Sequence, residues 1–268
     1  MFLLVVQQQL RFLSTITART RSFTTSSITI SMRPSILLFG DSITQEAFGV
    51  DGNIGWASLL AADYTRRADV LNRGYSGYNT NHAVELLPRV LVPLQKMHKF
   101  LFCTVFFGAN DAALAGEPQH VPLERYTENV KTIVRSIRAS HDCPVVLIAP
   151  PPIEETMWGD FLKLRGQGGS DRSNEHTRSY GLALEQVAKE NDCLFLDAWT
   201  LMEGDKSTRG SFVFDGLHLN EKGNRALYNG LMDLLEANRP EVLPMMDGDG
   251  RYGTKGVPLE EKLWRELC

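Results

Sequence analysis

The sequence predicts an α/β fold with three layers, in which helices cover both faces of a five-stranded, doubly wound parallel sheet. Short apolar runs alternate with longer amphipathic stretches from residue 35 to about residue 236, which is the pattern of such sheets. Polar stretches follow several of the apolar runs, as expected at the carboxyl edge of a parallel sheet. The 268 residues are 43% hydrophobic, which is enough for one sizeable core.

Five short apolar runs are the predicted strands, and the first of them reads as fully buried. Each run is followed by polar or turn-forming residues, which mark the end of a strand. In chain order the runs are ILLF at 36–39, DVLN at 69–72, FLFCTVFF at 100–107, PVVLIA at 144–149 and CLFL at 193–196.

The segments between these runs carry apolar residues at steps of three and four, which predicts helices. In one of them Tyr126, Val130 and Ile137 share a face, while the charged residues lie on the opposite, solvated face. The predicted helices cover 55–67, 79–91, 123–140 and 173–191, and a further helix is expected after residue 220.

Residues 150–173 are rich in proline and glycine and are predicted to form a long, irregular surface loop. Loops of this length often line binding sites. Trp158 lies within the loop and is the best aromatic candidate for the wall of a cleft. Phe48, Trp56 and Phe107 fit the same role, but they fit packing in the core equally well.

The first 32 residues differ in composition from the rest of the chain. They contain three arginines and eleven serines and threonines, and no acidic residue precedes Asp41. This composition fits a transit peptide, which would direct the protein to the mitochondrion. Alternatively, translation starts at Met32, the extension is not native and the protein is cytoplasmic. The sequence does not decide between these two interpretations of the extension. We expect a folded domain at 33–238 and a tail at 239–268.

The formal net charge of −4 provides no broad basic field, which argues against nucleic acid or an anionic membrane as the partner. No apolar run approaches the roughly 18 residues that a membrane span requires. The four cysteines form no CxxC pair, which favours a reduced compartment. A small ligand fits these properties best, and a homodimer is compatible with them.

Ser42 is the first candidate for chemistry, because it directly follows the first predicted strand in the sequence FGDSIT. Gly40 permits a tight turn, so a buried strand would hold the hydroxyl rigidly at the sheet edge. An isolated Gly-Asp-Ser is more often a helix start with the serine as N-cap. Thr44 excludes the G-x-S-x-G elbow of α/β-hydrolases, which requires glycine at that position.

Two further polar stretches follow the second and third strands. NRGYSGYNT, at 72–80, contains Gly77 and could bring backbone N–H groups close to a ligand. FFGANDA, at 106–112, contains Asn110, whose amide could point to the same place. Each stretch taken alone is more typical of a turn than of a catalytic site.

Asp215 and His218 lie three residues apart in FDGLHLN, ahead of the last helix. At this spacing the carboxylate can accept the Nδ1 proton of the imidazole, which leaves Nε2 free to face Ser42. A surface turn or half of a metal site would have the same pattern. The histidines at 82, 98, 120, 141 and 176 share no ligand spacing, so no metal is predicted and these five are expected to be surface or structural residues.

The four stretches together, in this order, resemble the SGNH (GDSL) hydrolase superfamily over roughly residues 35–235. The resemblance implies a flavodoxin-like sheet of five parallel strands. It also implies that Ser42 is the nucleophile, with Asp215 and His218 as the other two catalytic residues, and that Gly77 and Asn110 bind the oxyanion.

Within that superfamily the motifs FGDSITQ, NRGYSGYNT, FFGANDA and PPPI resemble the isoamyl acetate-hydrolysing esterases. This implies a serine esterase that hydrolyses short-chain, acetate-type esters through an acyl-enzyme, without metal or organic cofactor. Ala109 departs from the glycine of many relatives, but no catalytic group is lost. A longer-chain lipase or thioesterase, an acyltransferase and a non-catalytic binding protein remain as alternatives.

Overall fold

Five parallel strands form the sheet in this computed structural model, which describes residues 33–65, 67–95, 99–202 and 209–244. The strand order is β2-β1-β3-β4-β5. β2 lies on one side of β1 and the later strands lie on the other side, so the switch point of the sheet is between β1 and β3. This is the flavodoxin-like order, and the predicted fold class is confirmed. The strands are β1 (Ser35–Gly40), β2 (Asp69–Gly74), β3 (Phe100–Phe106), β4 (Val145–Ile148) and β5 (Leu194–Leu196).

Helices cover both faces of the sheet within the described residues. On one face α3, α4 and α6 pack together, and on the other α2 and α8 pack against each other. The α-helices are α1 (Ser42–Gln45), α2 (Trp56–Asp63), α3 (Thr80–Leu94), α4 (Leu123–Ser140), α5 (Glu155–Leu164), α6 (Asn174–Glu190), α7 (Ala198–Met202) and α8 (Glu221–Asn238).

The central strand β1 shows why an uninterrupted apolar run is required here. Ile36 and Leu38 belong to the core beneath α2 and α8, while Leu37 and Phe39 belong to the core on the other face. All four side chains are completely buried. Successive side chains of a strand point to opposite faces, so a strand covered on both sides must be apolar at every position.

The predicted loop at 150–173 is wrong in its middle part, because α5 occupies Glu155–Leu164. Trp158, Phe161 and Leu162 are spaced three and four residues apart, and they share the inward face of this helix. Glu154 caps it by accepting a hydrogen bond from the Met157 N–H. The flanking prolines and glycines dominate the composition and hide this short helical period.

The expectation for residues 1–32 and most of that for the tail at 239–268 lie outside the described residues. Of the tail, Pro240–Val242 forms a short 3₁₀-helix and Val242 is buried against the core. Arg67 donates to the carbonyl of Glu241, which ties this turn to the end of α2. No helix in the described ranges has the length and apolar character needed to cross a bilayer.

Candidate active site

Ser42 stands at the carboxyl end of β1 as the first residue of α1. The N-cap is Asp41 and not Ser42, because Asp41 Oδ1 accepts a hydrogen bond of 3.0 Å from the Ile43 N–H. The side chain of Ser42 is thus not used for capping. The backbone N–H of Ser42 lies in the first turn of the helix, where N–H groups have no intrahelical acceptor.

Gly40 is required by close approach of the chain and not by an unusual backbone angle. A Cβ atom at this position would lie 2.1 Å from Thr44 Oγ1 and 2.5 Å from the carbonyl oxygen of Phe106. Neither distance is compatible with a side chain. The glycine therefore lets α1 fold back tightly over the end of the sheet, which places Ser42 at the sheet edge.

His218 connects Ser42 to Asp215. Its Nε2 lies 2.9 Å from Ser42 Oγ, and its Nδ1 lies 2.7 Å from Asp215 Oδ2. The other carboxylate oxygen, Oδ1, accepts the backbone N–H groups of Leu217 and His218 at 2.9 and 2.8 Å. The turn thus fixes the carboxylate, the carboxylate orients the imidazole, and the imidazole contacts the hydroxyl.

The electrostatics of the turn at 215–218 favour an ion pair between Asp215 and His218. Burial alone would lower the pKa of His218, but the hydrogen bond and charge of Asp215 outweigh burial and raise the pKa above the ordinary 6.5. Burial would likewise raise the pKa of Asp215, yet the contacts with His218 and the backbone hold that pKa below its ordinary value. An imidazolium that forms here is therefore stabilised.

Gly77 and Asn110 approach the same cavity from the ends of β2 and β3. Gly77 has a φ of +79°, and its backbone N–H has no acceptor among the described residues. The Asn110 side chain donates through Nδ2 to the carbonyl of Tyr78 at 2.8 Å and accepts through Oδ1 from Arg172 at 3.0 Å. The structure thus brings all five predicted site residues to one cavity.

Comparison with known proteins agrees with this geometry. Residues 38–226 match the GDSL-like lipase/acylhydrolase family. The chain belongs to this family. The isoamyl acetate-hydrolyzing esterase 1 homolog of Mus musculus is 43% identical over 219 residues, covering 79% of this chain and 86% of that protein. The isoamyl acetate-hydrolyzing esterase of Saccharomyces cerevisiae is 31% identical over 239 residues, covering 86% of this chain and 94% of the yeast protein.

Solved structures that share the fold include proteins named as an acylhydrolase and an esterase. A lipase/acylhydrolase from Enterococcus faecalis superposes with a TM-score of 0.59 at 24% identity, covering 77% of this chain and 96% of that one. An acetylxylan esterase from Geobacillus stearothermophilus superposes with a TM-score of 0.58 at 18% identity, covering 76% and 95%. These likenesses show the fold. Family membership shows that the chain is a carboxylic ester hydrolase.

The cavity of this GDSL hydrolase has a volume of about 1030 Å³. Of the aromatic residues predicted to line it, Trp158 does so, and the edge of its ring meets His218 at 6.1 Å between centroids. Trp56 and Phe107 are buried in the core instead, and Phe48 is 45% exposed and lies outside the lining.

Other lining residues of the GDSL hydrolase were missed. Phe161 and Leu162 extend the apolar wall from α5, and Phe214 stacks on His218 at 5.8 Å. Phe161 was detectable as the residue three positions after Trp158. The buried Arg172 gave no local signal, because its long-range partners lie 53 to 63 residues away in the chain.

The remaining histidines of the described chain contact other protein groups outside the Ser42 site. His82 accepts from the Asn79 N–H at the start of α3, and His141 stacks on Phe100. His120 and His176 stack on each other, and His98 lies outside the described residues. Among the described residues no group of three or more histidine, cysteine or acidic side chains could hold a metal ion.

Proposed function

We propose that this GDSL hydrolase cleaves short-chain, acetate-type esters through an acyl-enzyme formed on Ser42. One observation carries the proposal: the unbroken contact from Asp215 through His218 to the Ser42 hydroxyl, at 2.7 and 2.9 Å. Such a series is the arrangement that activates a serine nucleophile. The substrate class is supported by the mouse and yeast relatives, whose names specify isoamyl acetate.

In the first step Ser42 Oγ attacks the carbonyl carbon of the ester while its proton passes to His218 Nε2. The new C–O bond converts the carbonyl into a tetrahedral oxyanion, and Asp215 stabilises the imidazolium. When the intermediate collapses, the bond between the carbonyl carbon and the alcohol oxygen breaks, and His218 donates the proton that it took from Ser42 to that oxygen. The products are a free alcohol and Ser42 carrying the acyl group.

In the second step water replaces the alcohol. His218 accepts one proton from the water as its oxygen bonds to the acyl carbon, and the tetrahedral oxyanion forms again. Collapse breaks the bond to Ser42 Oγ, which takes the proton back from His218. The acid leaves and the enzyme is restored, so neither step uses a metal or an organic cofactor.

Three donors would stabilise the oxyanion in this mechanism. They are the backbone N–H groups of Ser42 and Gly77 and the side-chain amide of Asn110, whose residues line the same cavity. The Nδ2 of Asn110 carries two hydrogens, of which one is used by the Tyr78 carbonyl. The second is available for the substrate. Donors fixed before the reaction stabilise charge that develops in the transition state.

The size of the cavity favours a second candidate within the same chemistry. A volume of about 1030 Å³ is at the upper end for small-molecule sites and exceeds the needs of an acetyl group. Trp158, Phe161 and Leu162 provide an apolar wall along which a longer chain could lie. Hydrolysis of longer acyl esters or thioesters is therefore the alternative.

Turnover of p-nitrophenyl esters from acetate to dodecanoate, and of isoamyl acetate, tests the proposal. We expect kcat/KM to be highest for the short esters and to vanish in Ser42→Ala. Ser136→Ala is the matched control, because the Ser136 hydroxyl donates to the Thr132 carbonyl on α4, outside the cavity. A maximum at dodecanoate would establish the longer-chain alternative, and full activity in Ser42→Ala would refute the mechanism.

A further inference from the structure

Arg172 is a buried cation beside the site, with only 1% of its side chain exposed. Each of its three nitrogens donates to an acceptor of the protein. Nε donates to the Ala109 carbonyl at 2.9 Å, and Nη1 to both carboxylate oxygens of Asp171 at 2.6 and 2.7 Å. Nη2 donates to Asn110 Oδ1 at 3.0 Å and to Gln119 Oε1 at 2.5 Å.

The backbone and the carboxylate partner hold this guanidinium in place. Arg172 forms an isolated antiparallel bridge with Ala113, and the Leu114 N–H donates to the Asp171 carbonyl at 2.8 Å. Asp171 Oδ1 also accepts from the Trp158 indole at 2.7 Å. The position of Arg172 is therefore defined by the loop after β3 and by α5 together.

The contact between Arg172 and Asn110 constrains which way the side-chain amide of Asn110 faces. A guanidinium can only donate, so Arg172 selects Oδ1 of Asn110 and turns Nδ2 towards the Tyr78 carbonyl and the cavity. A charge-assisted hydrogen bond is stronger than a neutral one, and it polarises the amide so that the remaining N–H donates better. The Tyr78 carbonyl can only accept and favours the same orientation, so without Arg172 the amide would keep one of the two contacts that fix it.

The same guanidinium also reaches the Gly77 turn through one intermediate. Gln119 accepts from Arg172 through Oε1 and donates through Nε2 to the Gly77 carbonyl at 2.9 Å. The backbone carbonyl of Gln119 accepts from Asn79 at 2.9 Å, which fixes Gln119 against the same turn. Two of the three proposed oxyanion donors are thus connected to one buried charge.

We infer that Arg172 is a positioning residue that sets the oxyanion donors, acting through Asn110 directly and through Gln119 on the Gly77 turn. The inference rests on the proposed function, because it assigns to Arg172 the task of aligning donors that the proposed mechanism uses. A role confined to stability is the opposing explanation, since a buried ion pair also fixes a loop.

The chain offers a matched control for that explanation. Arg178 pairs with Asp197 at 2.8 Å and lies over the Trp199 ring at 4.5 Å. Arg172 pairs with Asp171 and lies over the Trp158 ring at 5.3 Å. Both guanidinium groups pair with an aspartate and lie over a tryptophan ring, but the Arg178 side chain is 26% exposed and does not line the cavity. Arg178→Met should lower the thermal unfolding temperature and leave kcat within about twofold of wild type.

A double-mutant cycle on p-nitrophenyl acetate separates the two roles. We expect Arg172→Met to lower kcat about 10²-fold, as for a misplacement of about 1 Å, with KM changed much less. In the Asn110→Ala background the same substitution should lower kcat by a smaller factor, about tenfold or less, because only the route through Gln119 to the Gly77 turn remains. An equal factor in both backgrounds would overturn the inference and establish a structural role.

Two further variants keep the outcome decisive. If Arg172→Met does not fold, Arg172→Lys replaces it in the cycle, because lysine keeps the charge but lacks the planar fork that contacts Asn110 and Gln119 together. Wild-type kcat in Arg172→Lys would overturn the inference. Ser42→Ala tests the proposed function separately. If Ser42→Ala is inactive and the cycle shows no coupling between Arg172 and Asn110, only the role of Arg172 is refuted. If Ser42→Ala keeps its activity, the mechanism itself is refuted.

Discussion

The Oγ atom of Ser42 lies 2.9 Å from Nε2 of His218, although 176 residues separate the two in the chain. β1 carries the serine to the sheet edge. The turn of the histidine is closed by the Phe214 N–H, which donates to the His218 carbonyl at 3.0 Å, and is tied to α5 by the Glu154 N–H, which donates to the Gly216 carbonyl at 2.9 Å. The contact therefore depends on the sheet topology and on α5.

The rate should rise with pH through the titration of His218. The base must be neutral to accept the serine proton, and the pKa of His218 is raised above 6.5 because its contact with Asp215 outweighs burial. At pH below this pKa the imidazolium cannot accept a proton, so kcat/KM should be low there and reach a plateau above it. A profile that is flat from about pH 5 to about pH 8 would contradict His218 as the base.

Asp215→Asn should fold and yet be nearly inactive. The asparagine Oδ1 can still accept the backbone N–H groups of Leu217 and His218, but its Nδ2 cannot accept from His218 Nδ1. By comparison with other serine triads, kcat should fall about 10⁴-fold. Asp233→Asn, at an exposed position of α8, is the control. An Asp215→Asn protein that is unfolded while the control is native would assign Asp215 a structural role instead.

Asn110→Ala should lower kcat by about 10²- to 10³-fold, because it removes one donor to the oxyanion. KM should change much less, since the donor acts chiefly on the transition state. Steady-state kinetics on p-nitrophenyl acetate measure both parameters. Asn238→Ala, which removes a side chain at the exposed end of α8, should match wild type. Equal kcat in Asn110→Ala and wild type would remove Asn110 from the site.

Asp41 should make the protein less stable as pH rises. Burial raises the pKa of Asp41 from 3.8 to about 7, against the opposing effects of the Ile43 N–H and the charges of His218 and Arg172. Between these two values the folded protein holds a proton that the unfolded chain has released. The free energy of unfolding therefore falls with rising pH across this window.

Asp41→Asn should abolish that dependence, because asparagine cannot release a proton and its Oδ1 can still cap the Ile43 N–H. Relative to wild type, the variant should gain about 1 kcal/mol in free energy of unfolding for each pH unit within the window. Urea denaturation at both ends of the window measures this, with Asp233→Asn as the control. Identical slopes for wild type and Asp41→Asn would show that Asp41 does not titrate there.

The strands follow from local pattern, whereas their flavodoxin-like order was implied by the resemblance to the family. Ile36 to Phe39 must all be apolar because both faces are covered, and the same holds along β4. Parallel strands end at a common edge, so the residues that follow β1, β2 and β3 must meet there. This is why the stretches that contain Ser42, Gly77 and Asn110 could be placed at one edge from local pattern, whereas the roles of Gly77 and Asn110 came from the resemblance to the family.

The remaining features were masked by local composition or depend on contacts that only the folded chain creates. α5 was hidden because the prolines before it and the glycines after it outweigh its apolar spacing. Arg172 could not be identified from the sequence because its role depends on contacts with Ala109, Asn110 and Gln119, which only the folded chain brings near. Asp41 caps the helix in place of the serine that an isolated Gly-Asp-Ser would use, and this leaves the hydroxyl of Ser42 free to contact His218.

Covalent labelling with a fluorophosphonate, followed by mass spectrometry of the digested protein, tests most directly whether Ser42 is the nucleophile. The adduct should lie on the peptide that contains Ser42, and it should be absent in Ser42→Ala and present in Ser136→Ala. Labelling of Ser42 should also fall when Asp215→Asn disturbs the orientation of His218. An adduct at any other residue of the wild-type protein, with Ser42 unmodified, would contradict the account.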